Sequence, residues 1–440
     1  MPPPLGNLAR IARVKTLGVI VLKQIAPDRE WFRVKVNETD KGEVDAGDTV
    51  MALPGYKADV LLDGKVQVHL WGNVPEQLRY RVFESRVRFH KPADGFDADL
   101  TLVGGRIYIK SRKLDADKRP TGAKVRVRIG GEVWDITLPD EKADVLVELI
   151  SWFEPGTPYA RKGGTSPAIE SRMAVVSGTA DLAAPKRPAA FAKIPAGKQI
   201  AHNSLKGVLV GPQAFENQDE ASRELIIPGT LGKDIQLVRS SAAQELTAPG
   251  GVLALMVGRL DPFADLPPGS GRPDLIARFA AYSLAALAEG PDAANQLKAL
   301  VDELGKQKPW FTRQAVVTAL ANWVARKPGN TELLHGVLTA KGMKAAEADE
   351  LLALLRGFVS PTKPEPAALD KLVELLDDES IPIREAALWN IVAADSGMWI
   401  PPPIGVNVGT RLDSPEYKQF VATWRKKVDE IKKRPPPAKR

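Results

Sequence analysis

The spacing of apolar residues changes once along this chain, and that change constrains the fold more than any other feature. Between about residues 15 and 155, apolar and polar residues alternate in short segments such as TLGVIVLKQ, KVQVHLW and AKVRVRI. After about residue 275, apolar residues recur at positions i, i+3, i+4 and i+7. The first pattern is typical of strands and the second of helices, so the sequence predicts a multidomain protein that is first all-β and then all-α.

Turns that contain glycine separate the alternating segments of the first region. They include Asp63-Gly64, Asp94-Gly95, Gly104-Gly105 and Gly130-Gly131. Short strands joined by such turns favour antiparallel hairpins. We therefore expect an antiparallel β sandwich or roll over residues 1–155.

A second set of shorter apolar runs follows a segment rich in Pro, Gly and Ser at 153–171. These runs include RMAVVSGTADL, IQLV and GGVLALMV. We interpret them as strands of a second, smaller β unit at 156–262. The alternative is that they close the first β unit.

The helical region is predicted to occupy residues 275–435, after another linker at 258–274. Arg278, Arg313 and Arg384 each precede a similar apolar helical pattern, at intervals of 35 and 71 residues, with one repeat lacking its arginine near Ala348. A period in the thirties is typical of helical solenoids, because each hairpin must bury one face on the next. The prediction is a solenoid of helical hairpins.

One part of this region, LVELLDDESIPIREAALWNIV at 372–392, resembles a HEAT repeat. It has a first helix, an acidic turn with Asp378, and a second helix that begins near Arg384 and carries small residues. In HEAT repeats the turn aspartate and the second-helix arginine of neighbouring units tend to pair. Asp378 and Arg384 occupy those positions here, so the resemblance implies that they are the structural pair of this type.

The segment VDAGDTVMALPGYKADVLLDGKVQVHLWGN resembles the core of the FecR-type domain. The matching elements are the turn at Gly47-Asp48, the turn at Pro54-Gly55, and an apolar strand after Asp63-Gly64. The resemblance covers about residues 40–150, and the spacing at 173–202 suggests a second copy.

The two resemblances together imply a place in the cell. FecR-type domains are extracytoplasmic, and some pass an envelope signal through a membrane helix to a sigma factor. A FecR-like domain followed by HEAT-like helices resembles uncharacterised envelope proteins of planctomycete-type bacteria, so we expect an extracytoplasmic or periplasmic location. The sequence has no run of about 18 apolar residues, so no transmembrane segment is predicted in it.

Residue types that carry catalysis are sparse. The chain has no cysteine and four widely spaced histidines, which excludes thiolate chemistry and leaves no metal-ligand motif. Asp97 and Asp99 share a strand face at a spacing that a glycosidase pair or a calcium site could use, although alternating acids are also ordinary on a solvated strand. The sequence predicts a protein that is not an enzyme and uses no cofactor or metal.

Four arginines are the candidate binding surface of the β region. Arg86 and Arg88 lie in SRVRFH, and Arg126 and Arg128 lie in AKVRVRIGGEVW. Side by side, these strands would present a basic face to an acidic polysaccharide or nucleic acid, but a half-exposed sheet also needs charge for solubility. The net charge of +7 fits contact with an anionic surface without requiring one, and we do not expect nucleic acid as the partner.

Two more segments have alternative interpretations. The loop at 395–412 carries Met398, Trp399 and Ile400 before three prolines, and it is either a contact site or a lid over the last hairpin. The basic run at 424–440 is either a solvated terminal helix or a contact for an anionic polymer.

The predicted function is binding or scaffolding in the bacterial cell envelope, with a protein or an envelope polymer as partner. Binding of a polyanion or acidic polysaccharide is one alternative. A FecR-type signal regulator is another, and it requires a membrane and anti-sigma segment upstream of Met1.

Overall fold

The computed structural model describes most of the chain. The described residues are 10–14, 20–26, 29–34, 42–75, 82–157, 159, 165–187, 189–215, 230–245, 251–261, 272–306, 310–398, 400 and 407–434. The chain divides into two compact units, of which the first comprises residues 1–78, 82–150 and 169–252 and the second comprises 79–81, 151–168 and 253–440. Strands make up most of the first unit and helices most of the second, which confirms the predicted order of β and then α structure.

Seventeen strands lie in the described part of the chain. They are β1 (Arg10–Val14), β2 (Val21–Gln24), β3 (Phe32–Arg33), β4 (Glu43–Asp45), β5 (Thr49–Ala52), β6 (Lys57–Leu62), β7 (Val66–Trp71), β8 (Ser85–His90), β9 (Ala98–Ser111), β10 (Ala123–Ile129), β11 (Glu132–Leu138), β12 (Asp144–Trp152), β13 (Ala168–Ser177), β14 (Thr179–Ala184), β15 (Ala189–Pro195), β16 (Lys198–Asn203) and β17 (Val208–Ala214).

The longest strand, β9, belongs to two sets of paired strands. Its first half pairs with β8 and, in parallel, with β10, whereas its second half pairs antiparallel with β7 and β12. The change of partners falls at Gly104-Gly105. Gly105 has φ +93°, and a Cβ there would lie 2.0 Å from the carbonyl oxygen of Glu84, so a side chain has no room.

The remaining pairings extend both sets. The first half of β9 belongs to the series β3–β2–β5–β8–β9–β10–β11–β14–β15. The second half belongs to β4–β1–β6–β7–β9–β12, and β13–β16–β17 form a further series. The Asp63-Gly64 turn joins β6 to β7 as a hairpin.

Alternating apolar side chains from these strands form the core of the first unit. One buried cluster includes Val50, Val68, Leu100 and Trp134. Trp134 and Trp71 are fully buried, so these two indoles are core residues and do not offer stacking faces to a sugar.

Two segments that we predicted as strands are helices, and that prediction is wrong. IQLV lies in α1 (Thr230–Glu245), and GVLALMV, the described part of GGVLALMV, lies in α2 (Gly251–Gly258). A short run that is apolar throughout has no period, so it does not distinguish a buried strand from a buried helix. Strands β13 to β17 belong to the same compact unit as β1 to β11.

Eight further α-helices follow among the residues that the structure describes. They are α3 (Pro273–Leu287), α4 (Ala293–Leu304), α5 (Trp310–Val324), α6 (Asn330–Ala340), α7 (Ala345–Leu355), α8 (Pro366–Leu375), α9 (Ile381–Ser396) and α10 (Pro415–Lys432). Three of them begin with proline, which suits the first helical position because that residue's N–H has no partner within the helix.

Helix α5 contacts α3, α7 and α9, and α7 also contacts α9, while α4 packs on α6 and α8 packs on α10. Side-chain hydrogen bonds join the ends of some of these helices to their neighbours. Trp323 Nε1 of α5 donates to the Ala288 carbonyl after α3 at 2.8 Å, and Asn390 Nδ2 of α9 donates to the Leu354 carbonyl of α7 at 3.0 Å. These bonds satisfy carbonyls that a helix end leaves without a partner. Among the helices described, none has the length and hydropathy needed to cross a membrane.

Candidate functional site

Three of the four candidate arginines reach one face of the sheet. Arg88 of β8 and Arg128 of β10 both lie opposite Thr101 of β9, and Arg126 lies opposite Asp99. Arg86 does not join them as a surface residue, because it is 3% exposed with its Nη2 3.4 Å from Glu84 Oε1.

Carboxylates neutralise much of this face. Arg126 donates from Nε and Nη2 to the two Asp135 oxygens at 2.7 and 2.9 Å, and the hydrogen bond to Asp135 raises the pKa of Arg126. Arg128 donates to Asp99 Oδ2 at 2.7 Å. The sequence showed the arginines, but the opposing acids could be recognised only once the strand register was known. A surface so balanced attracts a polyanion weakly.

Asp97 and Asp99, the possible catalytic pair, each bond to a different part of the sheet. Asp97 accepts from Lys113 Nζ and from the backbone amide of Lys124, at 3.1 and 3.0 Å. Asp99 is buried and holds Arg128. A glycosidase needs two carboxyl groups that face one substrate, whereas each of these already holds a cation or an amide.

The four histidines contact separate neighbours. His69 lies 3.0 Å from Asp59, His90 lies 2.8 Å from Thr101, His202 lies 2.8 Å from Arg187 and His335 lies 3.3 Å from Asp349. Burial, opposed by Asp99 but helped by Arg128 and Arg88, lowers the pKa of His90. Across the residues that the structure describes, no three His, Asp or Glu side chains group as a metal site would.

A buried ion triad that sequence reasoning missed lies in the first unit. Glu148 of β12 lies opposite Arg106 of β9, and its second oxygen accepts from Arg172 Nε at 2.7 Å. The Arg106 guanidinium lies 4.7 Å from the ring centre of Trp71. Complete burial raises the pKa of Glu148, but the two guanidiniums lower it further, so the net pKa is below the ordinary value. The sequence clue was a charged residue inside each of two apolar strands.

Asp378 and Arg384 meet, but not through the carboxylate. Arg384 Nη1 donates to the carbonyl oxygens of Asp378 and Glu379 at 2.6 and 3.1 Å. The Asp378 carboxylate instead accepts from the Ser380 amide at 2.7 Å, just before α9. The aspartate caps its own turn, so the arginine binds the backbone of that turn.

The C-terminal helix uses its basic residues within the second unit. Arg425 donates to Asp377 at 2.8 Å, and Lys427 and Arg434 contact Asp395 at 2.7 and 2.5 Å. These cations link α10 and its end to the turn after α8 and to α9, so acids of the same unit partly neutralise the charge that an anionic polymer would contact.

A pocket in the second unit brings residues from five segments together. Its volume is about 70 Å³, several times the roughly 10–15 Å³ that one water requires. Its walls include Trp152, Ala321 and Asn322 of α5, Arg356, Trp389 of α9, and Ile400. We call it the aromatic pocket.

Hydrogen bonds within the chain use polar atoms of the aromatic pocket. Trp389 Nε1 donates to Thr318 Oγ1 at 3.0 Å, and Arg356 Nη2 donates to Thr165 Oγ1 at 3.0 Å. The Arg356 guanidinium also lies 4.0 Å from the ring centre of Phe153, and burial lowers the pKa of Arg356. The pocket is therefore suited to holding an apolar group rather than to proton transfer.

The candidate contact residue Trp399 lies outside the described residues. Its neighbours differ in environment: Met398 is 38% exposed, while Ile400 is 5% exposed and lines the aromatic pocket. Residues 401–406 of this loop also lie outside the described residues. Its role as a contact site or a lid stays a prediction, and only the fold shows that Ile400 shares the aromatic pocket with Trp152 and Trp389.

We compared the chain with protein-family models, with curated proteins and with solved structures. None of these comparisons found a match. The FecR-type and HEAT resemblances stay predictions from sequence.

Proposed function

We propose that this protein is a non-enzymatic binding or scaffolding protein whose aromatic pocket holds an apolar side chain of a partner protein. The observation that supports this function is the composition of the pocket wall. Two indoles and several aliphatic side chains line it, and the Trp389 and Arg356 side chains already bond within the chain. Aromatic pockets that accept one anchoring side chain often dominate the energy of protein interfaces.

The wider proposal is a FecR-like β sandwich followed by a HEAT-like solenoid in the bacterial cell envelope. The two strand sets that share β9, and the packing of each helix from α3 to α6 on the next helix in the chain, support this architecture. The envelope location rests on the FecR resemblance of residues 40–150. Polyanion binding has weaker support, because Asp99 and Asp135 occupy two of the arginines that would bind the polymer.

Site-specific photo-crosslinking tests the pocket in cells. Ala321, which is half-buried in the pocket wall, is replaced by p-benzoylphenylalanine, and the same residue is placed at exposed Lys371 of α8 as a control. We expect a discrete adduct at position 321 that disappears in a Trp389→Ala background. The adduct partner is then purified and titrated against the wild-type chain and the Trp389→Ala variant. Equal adduct yields at positions 321 and 371, or equal affinities for the two chains, would refute the proposed site.

A further inference from the structure

A groove separate from the aromatic pocket lies where two helices end and two begin. Helices α4 and α6 end at Leu304 and Ala340, and α7 and α9 begin at Ala345 and Ile381. The groove has a volume of about 460 Å³, within the range of about 300–1,000 Å³ for ligand pockets. We call it the helix-end groove.

The helix-end groove has an apolar floor and an acidic rim. Leu304 and Leu338 are buried in the floor, and Met343 lies half-buried beside them. The charged residues that line the groove are Asp302, Lys341, Glu347 and Glu379. A ligand that fits this groove therefore needs both an apolar part and a part that complements the rim charge.

The rim charge is negative. Lys341 Nζ donates to Asp302 Oδ2 at 2.6 Å, so the single lysine is already matched by one acid. In the described part of the chain, no cation pairs with Glu347 or Glu379. The ends of α4 and α6 add partial negative charge from their last carbonyls, and Glu347 lies in the first turn of α7, where its carboxylate offsets the positive end of that helix. At the start of α9, the Asp378 carboxylate accepts the Ser380 amide and offsets the opposite charge there.

We propose that the helix-end groove is a docking surface for an extended, cationic segment of a partner protein. A Lys or Arg side chain of that segment lies between Glu347 and Glu379, and a neighbouring aliphatic residue covers Met343. The charge complementarity selects a basic peptide over an acidic one, and the apolar floor selects a peptide over a small hydrophilic cation. This surface goes beyond the aromatic pocket and does not depend on it.

Panning a phage-displayed library of random dodecapeptides on the full chain tests the proposal. We expect enrichment of sequences that place Lys or Arg next to Leu, Ile or Met. The most enriched peptide is synthesised with a fluorescent label, and its affinity is measured by anisotropy. The double variant Glu347→Lys/Glu379→Lys should weaken binding about tenfold or more, because it sets like charges against the peptide. Lys341→Ala should strengthen binding, because it frees Asp302.

Matched variants separate this groove from net charge and from the aromatic pocket. Glu374→Lys/Glu430→Lys changes the net charge equally at two exposed positions outside the groove. Trp389→Ala changes a residue that lines the aromatic pocket and does not line the groove, so both variants should bind the peptide as the wild type does. Enrichment of acidic or uncharged peptides would overturn the proposal. Unchanged affinity in the Glu347→Lys/Glu379→Lys variant, or equally strong competition by spermine, would also overturn it.

Discussion

Replacing Glu148 by leucine should destabilise the first unit strongly. Glu148 and Arg106 are both 0% exposed, and the carboxylate also accepts from Arg172. The substitution leaves the Arg106 cation buried without its counter-charge, whereas Arg172 retains some access to solvent. Removing one partner of a buried ion pair typically costs about 3–5 kcal/mol.

The expected loss is large enough to measure directly. With a denaturant slope of about 2 kcal/mol per molar urea, a loss of about 4 kcal/mol lowers the urea midpoint by about 2 M. Because the chain has two compact units, native-state hydrogen exchange read by mass spectrometry is the better assay. Protection should fall in peptides from β9 and β12 and stay unchanged in peptides from α5 and α9.

Two further variants test the reasoning behind that number. Glu141→Leu, at an exposed turn position, should change stability by no more than about 0.5 kcal/mol. The triple variant Arg106→Met/Glu148→Leu/Arg172→Met should recover much of the loss, because no unpaired charge stays buried. Equal losses of stability in Glu148→Leu and Glu141→Leu would contradict this expectation, and so would a triple variant that is no more stable than Glu148→Leu.

Three other perturbations have expected outcomes. Burial raises the pKa of Glu385 to about 7 despite Arg313 beside it, so the folded protein holds this proton more tightly than the unfolded chain. The stability that this proton contributes to the fold is fully present below the ordinary glutamate pKa and is lost as pH rises through about 7. Glu385→Gln should flatten that decline, and thermal melts of the second unit at pH 5 and pH 8 would contradict this if the two proteins lost stability equally. Gly105→Ala should cost more than about 2 kcal/mol in urea unfolding, because φ is +93° and the new Cβ meets a backbone oxygen; a neutral effect would mean that the strand relaxes there. Asp395→Ala removes the partner of Lys427 and Arg434, and should cost about 1 kcal/mol or less while speeding proteolysis near α10; proteolysis at the wild-type rate would show that apolar packing alone holds this helix.

Local patterns predicted much of the architecture. The Asp63-Gly64 turn between alternating runs indicated the β6–β7 hairpin, and the helical period indicated α5 and α9. The same reasoning failed at α1 and α2. The apolar run in α2 has no polar face, so its sequence contains no period from which helix could be told from strand.

The sites were less predictable because they depend on register and on distant contacts. Arg126 and Asp135 pair across a hairpin, and Arg128 reaches Asp99 across a parallel pair whose alignment no local signal encodes. Trp152 and Trp389 share the aromatic pocket although most of the helical region lies between them in sequence. The residue types indicated that arginine and tryptophan side chains can bind a ligand, but only the fold shows which side chains contact one another.

The shared strand β9 has a consequence for how the first unit unfolds. Its first half pairs with β8 and β10 and its second half pairs with β7 and β12. Neither set of strands can therefore separate from the other without breaking backbone hydrogen bonds of this one continuous strand. Two sets joined in this way should lose protection together rather than as independent subdomains. The fourteen residues of β9 therefore couple the two sets of strands, and we expect the β unit to unfold in a single cooperative step.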